Sequence, residues 1–277
     1  MRKIFTKLNQ KIYSVIRSTL RYVLPPRIYY SLRDIFVPGE VYCCYKVLNN
    51  KEIDQVMIDV GAHVGGSLIK FAQSGWRVYA FEPDNGNRQK LEVLCKKEAL
   101  NNVTIDPRAV SDKLDTNLSF FRSSVSSGIS GLSVFDDSHE ELQKVDTLTL
   151  SDYCVNKNID KVDFLKIDTE GYDLMVLKGF PFKSIKPKII LTEFENKKTI
   201  PLGYNFNDLA NYLVDNNYFV AVSEWYPVVQ YGGNHKFRGI YPYPSELIDE
   251  NSTGNLIACQ DKQILNEIVE SVQKHLK

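Results

Sequence analysis

Cysteine is sparse in this chain and net charge is absent. The five cysteines, Cys43, Cys44, Cys95, Cys154 and Cys259, are scattered and form no C-x-x-C pair. That pattern argues against a disulfide framework or a cysteine zinc site. It points to a reducing compartment, read here as the cytoplasm. Lys plus Arg and Asp plus Glu both number 34, for a formal net charge of +0, so no overall field recruits nucleic acid. Long apolar runs are missing too, which removes a membrane span from the expectation. The remainder is ordinary for a globular chain. Its 277 residues, 43% hydrophobic and 25% charged, suffice for one large α/β domain with an appendage.

Acids are missing from the first stretch. Arg2, Lys3, Lys7, Lys11, Arg17, Arg21, Arg27 and Arg33 all precede Asp34. Ile4, Phe5, Leu8, Ile12, Val15, Ile16, Leu20 and Val23 share one helical face, opposite Lys3, Lys7, Arg17 and Arg21. Pro25 and Pro26 end that helix. Residues 1–36 therefore read as a basic amphipathic extension and 37–277 as the main domain. Two docking modes are open for the extension. It packs on protein, as most amphipathic helices do, or residues 1–24 lie on the anionic inner surface of a membrane.

The centre of the chain is Val56 to Glu82, VMIDVGAHVGGSLIKFAQSGWRVYAFE. It reads as strand, glycine turn, helix and strand. The glycines Gly61, Gly65 and Gly66 permit close backbone approach of a ligand. The helix start offers free N–H groups, and Glu82 at the second strand tip suits two ribose hydroxyls. A dinucleotide fingerprint needs glycine at position 63, where His63 stands. The missing glycine counts against a pyrophosphate, hence against NAD or FAD. It is compatible with a nucleoside ligand that lacks phosphate, such as S-adenosylmethionine.

Downstream, strands are expected at 103–110, 118–121, 162–167, 188–195, 218–225 and 255–260. Helices are expected at 87–100, 146–158, 172–177, 207–217 and 264–276. The stretch Val41 to Val47 fits strand or short helix. Asp59, Glu82 and Asp168 all end strands, and in an open parallel sheet ligands sit outside such ends. Arg122 to Ser133, rich in Ser and Gly, reads as a mobile surface loop, either a lid or a plain connector. Residues 225–246, aromatic and rich in Pro and Gly with His235 inside, read as a long loop suited to sugar faces and hydroxyls.

The motifs DVGAHVGGS, AFEPDNGNRQKLE, AVSD, VDTLTL, VDFLKIDTEGYDLMVLKGF and KIILTEFE, in this order and spacing, resemble the FkbM-type, S-adenosylmethionine-dependent methyltransferases over roughly residues 55–200. The resemblance implies the class I methyltransferase fold, a Rossmann-like three-layer sandwich. Its mostly parallel seven-stranded sheet carries an antiparallel last strand. It also implies S-adenosylmethionine as cofactor and oxygen methylation of a sugar, glycan or small natural product. Asp59, Gly61, Ala62, His63, Gly65, Glu82, Pro83, Ser111 and Asp168 are the implied cofactor positions. His63 replaces an Asn common in the family, and Asp173 a Glu.

The sulfonium methyl is already activated, so the enzyme must align an oxygen opposite the leaving sulfur, and a general base helps. Asp168 stands at the right edge as base or cofactor anchor. His235 titrates in the useful range, and Glu193 is a third candidate. An alternative gathers Asp168, Glu170 and Glu193 around a divalent metal; no ligand spacing is diagnostic, so no metal is expected. DTEG follows the fourth strand where base-amino methyltransferases carry Pro-Pro-aromatic, which disfavours a nucleic-acid substrate. The competing readings are an NAD-dependent oxidoreductase and a non-catalytic binding protein of the same fold.

Overall fold

The computed structural model describes residues 24–26, 28–30, 32, 39–49, 54–231 and 235–276. Most of the basic extension, with the question of its membrane or protein contact, lies outside the described residues. Among the described residues no helix is long and apolar enough to cross a membrane.

An eight-stranded sheet forms the middle layer. Its parallel half contains β1 (Val56–Val60), β2 (Arg77–Phe81) and β3 (Val103–Asp106). The short α1 (Glu40–Leu48) precedes β1, which settles the ambiguous stretch as helix. Between the parallel strands run α2 (Ile69–Gln73) and α3 (Asn85–Lys97). Pro107, which cannot continue the ladder as a donor, follows β3. The expected strand at 103–110 is therefore two elements. Its second half, β4 (Ala109–Val110), leaves the main sheet.

A hairpin follows. β5 (Leu118–Ser123) pairs antiparallel with β6 (His139–Val145), and β7 (Thr147–Leu148) returns to pair with β4. α4 (Leu150–Lys157) is capped by the Thr149 hydroxyl on the Asp152 N–H. The chain re-enters the sheet as β8 (Phe164–Ile167), turns into α5 (Asp173–Lys178), and returns as β9 (Ile189–Glu195). After the single turn α6 (Asn196–Thr199) comes α7 (Phe206–Asp215), started by an Asn205–Asp208 capping box. β10 (Phe219–Trp225), β11 (Phe237–Pro242), β12 (Thr253–Cys259) and α8 (Lys262–Leu276) complete the chain.

The strand order is β11-β10-β12-β9-β8-β1-β2-β3. β12 inserts antiparallel between β9 and β10, which is the expected antiparallel last strand of the class I methyltransferase sheet. The strand count differs from the expected seven. Phe237–Pro242, inside the stretch read as a loop, pairs antiparallel with β10 as an eighth, edge strand. An edge position tolerates Pro242 at its end.

Alternation along the strands builds two cores. Val56, Ile58 and Val60 join Leu165 and Ile167 in a cluster with Leu150, Leu174, Leu177, Leu209 and Leu213. Met57 and Phe164 face the other way, into a cluster with Cys43, Cys44, Phe71, Trp76, Leu91 and Ile268. Strands buried on both faces by helices are what a parallel sheet requires. On the second face the period-two rule also places Asp59 and Lys166, register partners on adjacent strands.

Candidate active site

Residue pairs Val60↔Phe81 and Val60↔Ile167 stand in register, so β1, β2 and β8 end level. The next residues are Gly61, Glu82 and Asp168, and together they line a cleft of about 780 Å³, its open mouth included. His63, Pro83, Asn87, Arg108, Tyr172 and Glu170 complete much of its wall, and Ser127, Gly128, Ser130, Gly131 and Leu132 contribute its cover.

Glu82 is buried, and its two oxygens accept from the His63 N–H (2.6 Å) and the Asp84 N–H (2.9 Å). Each oxygen keeps accepting capacity for a ribose hydroxyl. Burial pushes the Glu82 carboxyl up to about 7, against the pull of these two backbone donors. Asp168 is more open, with 42% of its side chain exposed. Burial of its surroundings opposes ionisation, but Lys166 at 3.3 Å and then Lys198 hold it below the usual carboxylate range. Lys166 is itself buried, donates to the Gly61 carbonyl at 2.8 Å and lies 3.4 Å from Asp59. Burial opposes its charge, yet Asp168 and Asp59 keep the ammonium above its ordinary range.

The other expected cofactor positions are placed behind the wall. Asp59 is fully buried and accepts from the Ser67 hydroxyl and pairs with Lys166, so it braces the turn. Ala62 is buried and bonds through its N–H to the Phe81 carbonyl at 3.0 Å. Ser111 is buried with its hydroxyl on Asp112 at 3.1 Å. Gly65 packs beneath α3, where a Cβ would meet Leu91 at 2.7 Å and Leu94 at 2.8 Å. Gly61 has φ +78°, and a Cβ there would overlap the Asp168 carbonyl oxygen. Packing of the turn against β8 and α3 thus also requires the two glycines.

A second cleft, about 890 Å³ with its mouth, adjoins the first. Glu193, Glu195, Glu40, Lys198, Trp225, Tyr231 and the exposed His235 line it. Asp168, Glu170 and Gly128 line both clefts, so the structure brings the three catalytic candidates Asp168, Glu193 and His235 to one cavity. Asp168 alone of the three reaches the first cleft as well. The loop expected as lid or connector provides the cover: Ser127 bonds His63 Nε2 at 3.2 Å and accepts from Asn87 at 3.0 Å. His139 Nε2 lies 2.6 Å from the Ile129 carbonyl, a structural role for that histidine.

Carboxylate oxygens of Asp168, Glu170 and Glu193 come within 4.8 Å of one another. The Lys198 ammonium reaches this cluster, 2.6 Å from Glu170, 2.8 Å from Glu193 and 2.9 Å from Glu195. Burial pushes Glu170 up to about 7 despite Lys198, and raises Glu193 well above its ordinary value. Both clefts are therefore bordered by carboxylates. In the first, Glu82, Asp168 and Glu170 stand against Arg108, which is already paired to Asp106 at 2.7 Å. Such a lining repels a pyrophosphate and suits a ligand carrying positive charge.

The methyltransferase FkbM domain model matches residues 59–220, more than half of the chain. The chain belongs to the FkbM methyltransferase family. Its cofactor is S-adenosylmethionine, and the NAD reading is set aside. The cleft agrees in kind: Glu82, Asp168 and Glu170 line it. No curated protein matches the chain. Among solved structures, it is similar to a precorrin-6y C5,15-methyltransferase from Geobacter metallireducens, at 13% identity and TM-score 0.44 over 80% of this chain and 87% of that one. It is also similar to magnesium protoporphyrin IX methyltransferase from Synechocystis with bound S-adenosylmethionine, at 13% identity and TM-score 0.42 over 83% of each chain. TehB from Haemophilus influenzae matches at 11% identity and TM-score 0.47, over 84% of this chain and 66% of that one.

Within this FkbM-family site, sequence reasoning did not single out Lys198, Trp225, Tyr231 or Arg108. For Lys198 a signal was present: it stands three residues after Glu195, a spacing at which a helical turn pairs opposite charges.

Proposed function

We propose that this protein transfers the sulfonium methyl to a hydroxyl oxygen of a sugar, glycan or small natural product. The observation that carries the reading is the junction of the two clefts at Asp168 and Glu170. Glu82 would hold the cofactor's ribose, and Asp168 and Glu170 would border the end that supplies the activated methyl. An acceptor in the second cleft brings its oxygen against the same wall, opposite the leaving sulfur. Asp168, kept charged by Lys166, takes the hydroxyl proton as the C–O bond forms, and the S–C electron pair leaves on sulfur. Trp225 and Tyr231 offer ring faces to a sugar, while Glu193 and His235 are placed to bond neighbouring hydroxyls. Glu40 and Glu195 in the acceptor wall, whose lysine Lys198 is already paired, disfavour a phosphate-rich acceptor such as nucleic acid.

The test is methyl transfer from S-adenosylmethionine to a panel of glycosides and hydroxylated natural products, followed by mass spectrometry of the product. Asp168→Asn is expected to lower kcat by about 10²–10⁴-fold with cofactor affinity changed far less. Methyl found on nitrogen or carbon, or full activity in Asp168→Asn, contradicts the proposal.

A further inference from the structure

Lys198 is the one charged side chain at the junction whose role the methyl-transfer reading leaves open. It is 3% exposed, sits on the single turn α6, and does not line the cofactor cleft. Its ammonium is surrounded by Glu170 from the turn after β8 and by Glu193 and Glu195 from β9. One cation against three carboxylates leaves the group short of positive charge. Glu170 is the member that matters to the cofactor, because among Lys198's three partners it alone lines both clefts. The methyl crosses from one cleft to the other, so groups common to both stand beside the sulfur. The cofactor carries a full charge on that sulfur and the product, a thioether, carries none.

We propose that Lys198 is a positioning residue that keeps Glu170 ionised at the junction, so that the site holds the sulfonium cofactor in preference to the thioether product. The proposal rests on the methyl-transfer reading of the two clefts. Every charged group packed on Glu170 bears on it. Asp168 on the same turn and Glu193 and Glu195 on β9 oppose its ionisation, as does burial; Lys198 favours it. Tyr231, whose hydroxyl donates to Glu195 at 2.9 Å, and Gly131, whose backbone closes over the Glu170 side chain, complete the shell. Asp168 contributes a charge that Lys166 holds ionised, so Glu170 is the conditional one, its carboxyl standing near 7.

The experiment is calorimetric titration of the whole protein with S-adenosylmethionine and with S-adenosylhomocysteine from pH 5 to 9. The two ligands share adenosine, so their affinity ratio cancels titration at Glu82, and the sulfonium's pull on the ligand's own amino group, the same for every variant, cancels when variants are compared with wild type. The ratio is expected to rise about tenfold in favour of S-adenosylmethionine as pH passes through about 7. Losing a neighbouring cation raises a carboxyl, so Lys198→Met moves the midpoint up by about 1–3 pH units, and Lys198→Arg restores it. Should Lys198→Met not fold, Glu195→Gln provides the opposite test: it removes a repelling charge and moves the midpoint down. A purely structural lysine would weaken both ligands alike and leave the midpoint in place. A ratio flat in pH, or a midpoint unmoved in the variants, overturns the inference while leaving the cofactor site standing. Failure of both ligands to bind overturns the cofactor site itself.

Discussion

Replacing Lys166 by methionine isolates the electrostatic brace under the cofactor turn. The ammonium is buried, lies 3.4 Å from Asp59 and 3.3 Å from Asp168, and donates to the Gly61 carbonyl at 2.8 Å. Methionine keeps most of the volume and removes the charge. Asp168 can turn to water, but Asp59 is fully buried and keeps only the Ser67 hydroxyl. Breaking a buried pair by removing one partner costs about 3–5 kcal/mol. For 277 residues the unfolding entropy is about 0.6 kcal/mol per kelvin, so Tm falls by about 7 °C. Lys166→Met with Asp59→Asn recovers most of the loss. Thermal unfolding of the wild type and the two variants at pH 7 checks this. A deficit below about 1 kcal/mol at pH 7, or one that Asp59→Asn does not recover, refutes the reasoning.

Glu82→Gln turns one accepting oxygen into a donor facing a backbone N–H. It should weaken S-adenosylmethionine binding by about 1–3 kcal/mol, or roughly 5–150-fold, in calorimetry. Glu82 and Glu170 are raised to about 7 and Asp173, by burial and then Asp168, to about 6. The folded state therefore binds more protons than the unfolded one between about 4.5 and 7, and ligand-free stability falls as pH rises through that window; a Tm that climbs steadily from pH 5 to 7.5 contradicts it. Gly61→Ala meets both a left-handed φ and the Asp168 carbonyl, with no flexible side chain to yield. It should cost more than about 3 kcal/mol, read as loss of soluble folded protein or of cooperative unfolding.

The parallel half of the fold was legible because VMIDV, RVYAF and IILTEFE carry β-branched and aromatic runs that end in acids or glycines. The strand ends then follow from topology, which is why Asp59, Glu82 and Asp168 could be grouped before their geometry was known. β6, HEELQKV, is half charged and lacks a clear alternation; only its hairpin partner Leu118–Ser123 makes it a strand. β11, FRGIYP, was hidden by the prolines and glycines around it, and it pairs at an edge where such residues do little harm. Lys198 belongs to no motif the sequence displays. Its spacing from Glu195 encodes one of its partners; the other two, Glu170 and Glu193, reach it only by tertiary convergence. The roles of Gly61 and Gly65 were likewise hidden: the sequence marks them as glycines, and only the neighbouring Asp168 carbonyl and the Leu91 and Leu94 side chains show what they avoid.

The most direct measurement is a structure of the protein with S-adenosylhomocysteine bound. The account predicts both ribose hydroxyls on Glu82 and the sulfur beside Asp168 and Glu170, facing the cleft that holds Trp225, Tyr231 and His235. A ribose away from Glu82, or a sulfur turned from that second cleft, contradicts it.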